Sequence, residues 1–423
     1  MNRIIADLHV HSGYSRATSK DMNVATMSTW AKKKGINLLG TGDFTHPIHF
    51  ANLKAALKQS GNGLYITSVE PSVFFMLTAE VSSIYSFKGK VRRIHNIIMA
   101  PSLEIAEKIN SALRKQGNLS SDGRPILGTP AKDLLKIVLD ISEDCLFVPA
   151  HAWTPWFSVF GSKSGFDSIE ECFDEYSKYI YAIETGLSSD PEMNWRLSAL
   201  DKITLLSNSD AHSPGKLGRE ANVFNCEMDY FEILNAIKKK DKTRFLYTVE
   251  FFPEEGKYHY DGHRPCNILF SPEETKKQNN ICPVCKKSLT VGVMSRVDEL
   301  ADRKQGFIPE NAIPSKHMVP LVEIIAEAFN SGVNTVKVKK EYERLIALHT
   351  EFEILLDLPE AELYRITDRK IAEGLLKVRA GKINIIPGYD GVYGKISIFS
   401  EQPAAEKERK KTQTVQPEQK NLF

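Results

Sequence analysis

Over residues 1–250 the chain alternates short apolar runs with longer amphipathic ones. Seven runs have strand length: "RIIADLH", "NLLGTGD", "FFMLTAE", "IHNIIMA", "CLFVPAH", "YIYAIET" and "ITLLSNSD". Between most of them the apolar positions fall at helical spacing, as in 24–35 and 102–117. The second of these carries Ile105, Ile109 and Leu113 on one face and stops at Gly117. "SFKGKVRR", between Glu80 and His95, reads as a hairpin turn. Seven mostly apolar strands separated largely by helices predict a barrel-like α/β domain. In such domains the chemistry sits on loops at the C-terminal ends of the strands. His9, Asp43, Glu80, His151, Glu184 and Asp210 each fall at or just past such an end. His95 lies near the start of its run and is the exception.

The pattern changes after residue 250. Residues 251–300 form a module rich in Gly, Pro, His and Cys, and 301–400 are mainly helical. "VPLVEIIAEAFNSG" closes on Gly332, and "KVKKEYERLIALHTEFEILLDLP" reads as one helical run to Pro359. "DRKIAEGLLKVRAG" has Asp368 as N-cap and Gly381 as C-cap. "NIIPGYDGVYGKISIF" reads as strand and turn. Residues 401–423 are polar and are expected to be disordered, yet they end on Leu422-Phe423.

Composition adds little. The formal net charge of +2 neither requires nor excludes a nucleic-acid partner. The basic clusters Lys88/Lys90/Arg92/Arg93 and Lys238 to Arg244 read as solvated surface. No apolar run approaches the roughly 18 residues of a membrane span, and "MNRIIADLHV" is not a signal peptide. A cytosolic protein is expected, so the six cysteines are not a disulfide frame.

Candidate chemistry changes the picture most. "DLHVH" sets His9 and His11 two apart on a strand end, so both imidazoles face one side. "SNSDAH" repeats the geometry with Asp210 and His212, and Asp43, Glu80, His95 and His151 add four more ligand-type groups. Burying eight such groups together without cations would be very costly. They therefore predict a cluster of two or three divalent ions. Such ions lower the pKa of water and stabilise the attacking and leaving oxygens of a phosphoryl displacement. In the second module Cys266 precedes Cys282-x-x-Cys285. A closed tetrahedral zinc site needs a fourth ligand. His263 is the first choice because HxxC mirrors CxxC, and His259 is the second.

The order HxH, Asp, Glu, His, His, DxH resembles the polymerase and histidinol phosphatase (PHP) superfamily of metal-dependent phosphoesterases. The resemblance implies a distorted seven-stranded barrel with a trinuclear site holding zinc, magnesium or manganese. It makes His9, His11, Asp43, Glu80, His95, His151, Asp210 and His212 the ligands, with His9, Asp43, Glu80 and Asp210 catalytic. Asp43 is followed by Phe44 where many members have Asp-His. Either His46 takes that role or the site has one ligand fewer. The stretch after HxH, "SGYSRATSK", also lacks a ligand that many members carry.

With "EEGKYHYDGHRPC", "CPVCKKSLTVGVMSRVDELADR" and "SNSDAHSPGKLGREANVF", the chain over 1–400 resembles the endonuclease Q family. That resemblance implies one structural zinc, on His263, Cys266, Cys282 and Cys285. It also implies nicking of DNA 5′ to uracil, hypoxanthine, xanthine or an abasic site, leaving a 3′-hydroxyl and a 5′-phosphate. Trp153, Trp156, Phe157 and Phe160 then offer faces for an extruded base. Arg16, Lys20, Lys216 and Arg219 offer charges for DNA phosphates. The closing "QKNLF" resembles bacterial sliding-clamp ligands and points to a bacterial member, with Gln419 making polar contacts and Leu422 and Phe423 filling an apolar pocket. A nucleoid-associated cytoplasmic enzyme is expected. A phosphatase of a small phosphate ester and a non-catalytic DNA-binding scaffold are the alternatives. The zinc module argues against the first and the near-complete ligand set against the second.

Overall fold

The computed structural model describes residues 2–399. The polar tail and its clamp-like residues Gln419, Leu422 and Phe423 lie outside them. All seven predicted strands form: β1 (Asn2–Asp7), β2 (Leu38–Gly40), β3 (Phe74–Phe87), β4 (Lys90–Ala100), β5 (Leu146–Pro149), β6 (Ala182–Glu184) and β7 (Thr204–Leu206). Three further strands, β8 (Ala221–Cys226), β9 (Phe245–Glu250) and β10 (Ser315–His317), were not legible in the pattern. In β8, Asn222 and Asn225 break the apolar alternation, and Asn is a poor strand residue. β9 follows directly on the lysine cluster that reads as surface.

The main sheet runs β10–β9–β8–β1–β2–β3–β4–β5, with short strands added beside β3. β1, β2 and β3 are parallel, whereas β8 is antiparallel to β1 and β4 is antiparallel to β3. Among the described residues β6 and β7 pair only with each other, in parallel. The seven expected strands thus lie in a mixed α/β fold whose backbone ladder has two breaks. Hydrogen bonds span both. Ala152 N donates to the Glu184 carbonyl between β5 and β6. Across the other break Leu8 N donates to Asn208 Oδ1, and Ser207 N donates to Asn222 Oδ1. Alternate residues of the strands turn inward to one apolar cluster, including Ile4, Ala6, Leu8, Met76, Ile97, Met99, Leu146 and Val148.

The predicted turn at Lys88–Gly89 closes the β3–β4 hairpin, with both residues at positive φ. The hairpin also explains the placing of His95. An antiparallel strand starts where its partner ends, so His95 lies opposite Ser82, two residues past Glu80.

The C-terminal helices are Leu321–Ala328, Val336–Ile346, Glu360–Ile366 and Arg369–Arg379. Asp368 caps the last of them as expected, its carboxylate accepting from Lys370 N. The long run to Pro359 is not one helix. It stops at Ile346 and restarts because Thr350 and Glu353 cap each other's backbone, as in a capping box. The restarted turn, Glu353–Asp357, is a π-helix. Among the described residues no helix is long and apolar enough to cross a membrane.

A buried ion pair ties these helices to the main sheet's helical cover. Lys34 Nζ lies 2.6 Å from Glu351 Oε2, with both side chains under a tenth exposed. Glu351 also accepts from the Tyr342 hydroxyl and from Leu321 N. Removing one partner leaves an uncompensated buried charge. Lys34→Met is expected to lower the unfolding free energy by about 3 kcal/mol in urea titrations.

Candidate metal centre

Local backbone geometry sets the site. Asp43, His151 and Asp210 all have positive φ, an unusual conformation for residues with a Cβ. Gly42 is also at positive φ, and a Cβ there would sit 2.4 Å from the Val10 carbonyl oxygen. Only glycine lets the "GTGD" turn run this close to the HxH strand. Gly123 is equally confined. A Cβ on it would meet Ser15 Oγ and the Asp43 carboxylate.

Glu80, with no solvent exposure of its side chain, is central. Its Oε1 lies 2.7 Å from His95 Nδ1 and 3.1 Å from His151 Nε2. Its Oε2 lies 3.2 Å from His11 Nε2, 3.6 Å from His9 Nε2 and 3.1 Å from Arg124 Nη1. Asp210 Oδ1 adds contacts of 3.0 Å to His11 Nε2 and 3.8 Å to His9 Nε2. His212 joins His11 and Asp210 in a further group of convergent donors. Seven of the eight predicted ligands thus meet: His9, His11, Glu80, His95, His151, Asp210 and His212.

These atoms are close, yet His9 Nε2, His11 Nε2 and Asp210 Oδ1 have no hydrogen-bond partner among the described residues. Proximity without hydrogen bonding is what shared cation ligands require. Donors bonded to one ion at about 2.1 Å stand roughly 3.0–3.4 Å apart. The residues present therefore fit divalent cations.

Asp43 takes a different place from the predicted one. Its Oδ1 lies 3.0 Å from His11 Nδ1, while its Oδ2 accepts from Ser12 N, Ser12 Oγ and Ser15 Oγ. With both oxygens committed, it orients His11 from behind. Glu184 does the same for His9, 3.0 Å from its Nδ1, and also accepts from His151 N and Asn208 Nδ2. Carboxylates on Nδ1 fix the tautomer that leaves Nε2 free as a ligand. His46 does not substitute for a ligand. Its ring accepts from His49 N at the start of the helix Pro47–Ala56 and stacks on Tyr14.

Charge follows this geometry. Burial would lower the His9 and His11 imidazoles. Glu184 and Glu80 instead raise the first well above the ordinary histidine value, and Asp43 and Asp210 raise the second. Burial likewise opposes the Glu80 charge, but His95, Arg124 and His9 hold it well below the usual carboxylate range. Burial dominates at His95 and pushes it down to about 4.

The residues expected to touch DNA divide. Trp153 is buried, its indole Nε1 donating to Asn194 Oδ1, so it belongs to the core and has no face for a base. Phe160 is buried too. Phe157 packs on the His95 ring at 4.7 Å, and Trp156 is the exposed aromatic of this loop. Trp156 lines a cavity of about 290 Å³ with Thr154, Leu187, Tyr258, His259 and Tyr393. Thr154 Oγ1 lies 3.2 Å from His151 Nδ1, so the cavity adjoins the candidate metal centre. Arg16 is largely exposed, Lys20 donates to the Gly13 carbonyl, and Lys216 faces Glu323 at 3.5 Å. Arg219, half-buried, donates to the carbonyls of Ser209 and Asp210 and so holds the Asp210 loop. The pattern of strand ends missed Arg124, because it sits in a loop ("SSDGRP") with no periodic signal.

In the second module one ligand atom each of His263, Cys266, Cys282 and Cys285 lies within 4.8 Å of the others. His259 is elsewhere, stacked on Tyr260.

Comparison with known proteins agrees with this geometry. Residues 320–382 match the family model of the MJ0043 C-terminal domain. The uncharacterized protein YqxK of Bacillus subtilis is 30% identical over 416 residues, 94% of this chain and 100% of that one. The uncharacterized protein MJ0043 of Methanocaldococcus jannaschii is 36% identical over 274 residues, 61% of this chain, and the aligned chain spans only 33% of that protein's length. The lesion-specific endonuclease PfuEndoQ of Pyrococcus furiosus superposes with a TM-score of 0.84 at 30% identity, covering 96% of this chain and 99% of that one. Endonuclease Q in complex with a 27-mer duplex substrate, an abasic lesion at its active site, gives 0.82 at 32% identity, covering 95% and 98%. A mixed α/β fold with a histidine–carboxylate centre of this kind defines an enzyme, a metal-dependent endonuclease. The chain belongs to the endonuclease Q family.

Two substitutions separate ligation from orientation. Glu80→Ala removes a donor shared by two groups and is expected to strip divalent metal from both, read as metal content after dialysis. Asp43→Asn keeps every donor and is expected to weaken metal binding about 10–100-fold in competition with a chelator.

Proposed function

We propose that this protein nicks duplex DNA at the phosphodiester 5′ to a deaminated base (uracil, hypoxanthine or xanthine) or an abasic site, leaving a 3′-hydroxyl and a 5′-phosphate. The observation that carries this reading is the donor cluster around Glu80, in a chain similar over nearly all its length to an endonuclease Q solved on a lesion-bearing duplex. His9, His11, Glu80, His95, His151, Asp210 and His212 would hold two or three zinc, magnesium or manganese ions. Bound there, the ions supply an activated water and charge stabilisation for in-line displacement at phosphorus. Asp43 and Glu184 keep the His11 and His9 rings aimed at the centre. Arg124, beside Glu80, is placed to take a non-bridging phosphate oxygen.

The cavity beside Trp156 is offered as the pocket for the extruded base. Trp156 and Tyr258 lie edge to face across it, 6.0 Å between centroids, and give it an aromatic lining. Such faces accept different bases, because every base has a π-face to stack. Arg16, Lys20 and Phe157 would line the approach to the centre. His263, Cys266, Cys282 and Cys285 would hold one structural zinc, stabilising a module with little core of its own. Residues 301–400 would grip the duplex. Gln419, Leu422 and Phe423 would tether the enzyme to a sliding clamp on the nucleoid, where the tail raises the local concentration.

End-labelled duplexes carrying one uracil, one hypoxanthine, one abasic site or no lesion test the reading. With magnesium or manganese the expected product is a single cut 5′ to the lesion, absent with Asp210→Ala. Hydrolysis of a phosphomonoester without any DNA cut would instead make the protein a phosphatase. Trp156→Ala is expected to lower kcat/KM on uracil about tenfold, in line with roughly 1–3 kcal/mol per stacked base. Cys282→Ser is expected to lose one tightly held zinc ion per chain in metal analysis.

A further inference from the structure

Another group of ligand-type side chains lies away from both the Glu80 centre and the His263–cysteine quartet. Asp190, Glu192 and His317 each offer an atom within 4.8 Å of the others. Asp190 uses one oxygen to cap the short helix Pro191–Asn194, accepting from Met193 N at 2.9 Å. Its other oxygen lies 3.2 Å from His317 Nε2. Glu192 accepts from Ser315 Oγ at 2.9 Å.

The surroundings carry more negative charge than one imidazole can balance. Glu250 lies directly opposite His317 in the parallel β9–β10 register, so the two side chains share one face of the sheet. Glu250 is fully buried. Its Oε2 accepts from Thr185 Oγ1, but its Oε1 has no partner among the described residues. Glu254 Oε2 is likewise buried and without a partner among them, and this carboxylate lies within the fields of Asp190, Glu192 and His317. Leaving buried carboxylate oxygens without donors is expensive.

We infer that Asp190, Glu192 and His317 form a binding site for a divalent transition-metal cation, with Glu250 behind them. One imidazole and carboxylates are the donor set of zinc or manganese. Asp190 and Glu192 follow β6, whose last residue, Glu184, fixes His9. Glu250 ends β9, and His317 ends β10 just before the first C-terminal helix. A cation there staples the C-terminal helices to the strand end that supports the catalytic centre, without taking part in cutting.

The test is a count of ions. Full-length protein is stripped with EDTA, loaded with manganese or with zinc, dialysed and analysed for metal per chain. Glu192→Gln, at an exposed position, and His317→Gln are each expected to bind one ion fewer than the unaltered protein, with the remaining ions retained. Crystals soaked in manganese are expected to show an anomalous peak between Asp190, Glu192 and His317. An unchanged count in both variants, or no peak there, would overturn the site and leave an ion pair.

Discussion

One buried carboxylate organises the catalytic end of this protein. Glu80 faces His9, His11, His95, His151 and Arg124 at once, with its side chain fully buried. Taking such a group out of water is affordable only if opposite charge surrounds it. The fold delivers those partners from separate segments. The segment just past β1 supplies the HxH pair, the hairpin return of β4 supplies His95, the turn after β5 supplies His151 and the loop before residue 126 supplies Arg124. The apolar layer beneath, built from alternate residues of the same strands, holds these ends in register.

The same demand accounts for local strain. Asp43, His151 and Asp210 share an unfavourable backbone conformation, each in the loop that follows a strand. Such conformations persist only where the surroundings over-determine them. Here hydrogen bonds do so. Ser12 and Ser15 hold Asp43, Glu184 holds the backbone of His151, and Arg219 holds the carbonyl of Asp210. The donors are thereby fixed before any ion or substrate arrives, which is how a site reaches charge stabilisation without reorganising.

The C-terminal part is attached by polar rather than purely apolar contacts. Lys34 and Glu351 form a buried pair, Lys216 reaches Glu323, and β10 adds a strand beside β9. The hairpin Asn384–Ile386 and Lys395–Ser397 brings Asp390 back to the module that carries His263 and the three cysteines, where it accepts from Arg264 N and Thr290 Oγ1. Directional contacts of this kind set the orientation of one part against another more narrowly than apolar burial does.

The sequence alone determined the seven strands, the ligand types at their ends and the HxxC–CxxC quartet. Period-2 alternation and short spacings are local properties, set by backbone geometry within a few residues. It also located the caps of the C-terminal helices where the capping residue is adjacent, as at Asp368. Only the tertiary structure decided which carboxylates face the centre and which stand behind a histidine. Asp43 and Glu184 look like Glu80 in the sequence, yet their partners lie 32 and 175 residues away. It likewise buried Trp153 and exposed Trp156, three residues apart in one irregular loop, and it brought Arg124 to Glu80 across 44 residues. Pairings between distant segments depend on how the whole sheet packs, and no local period records them.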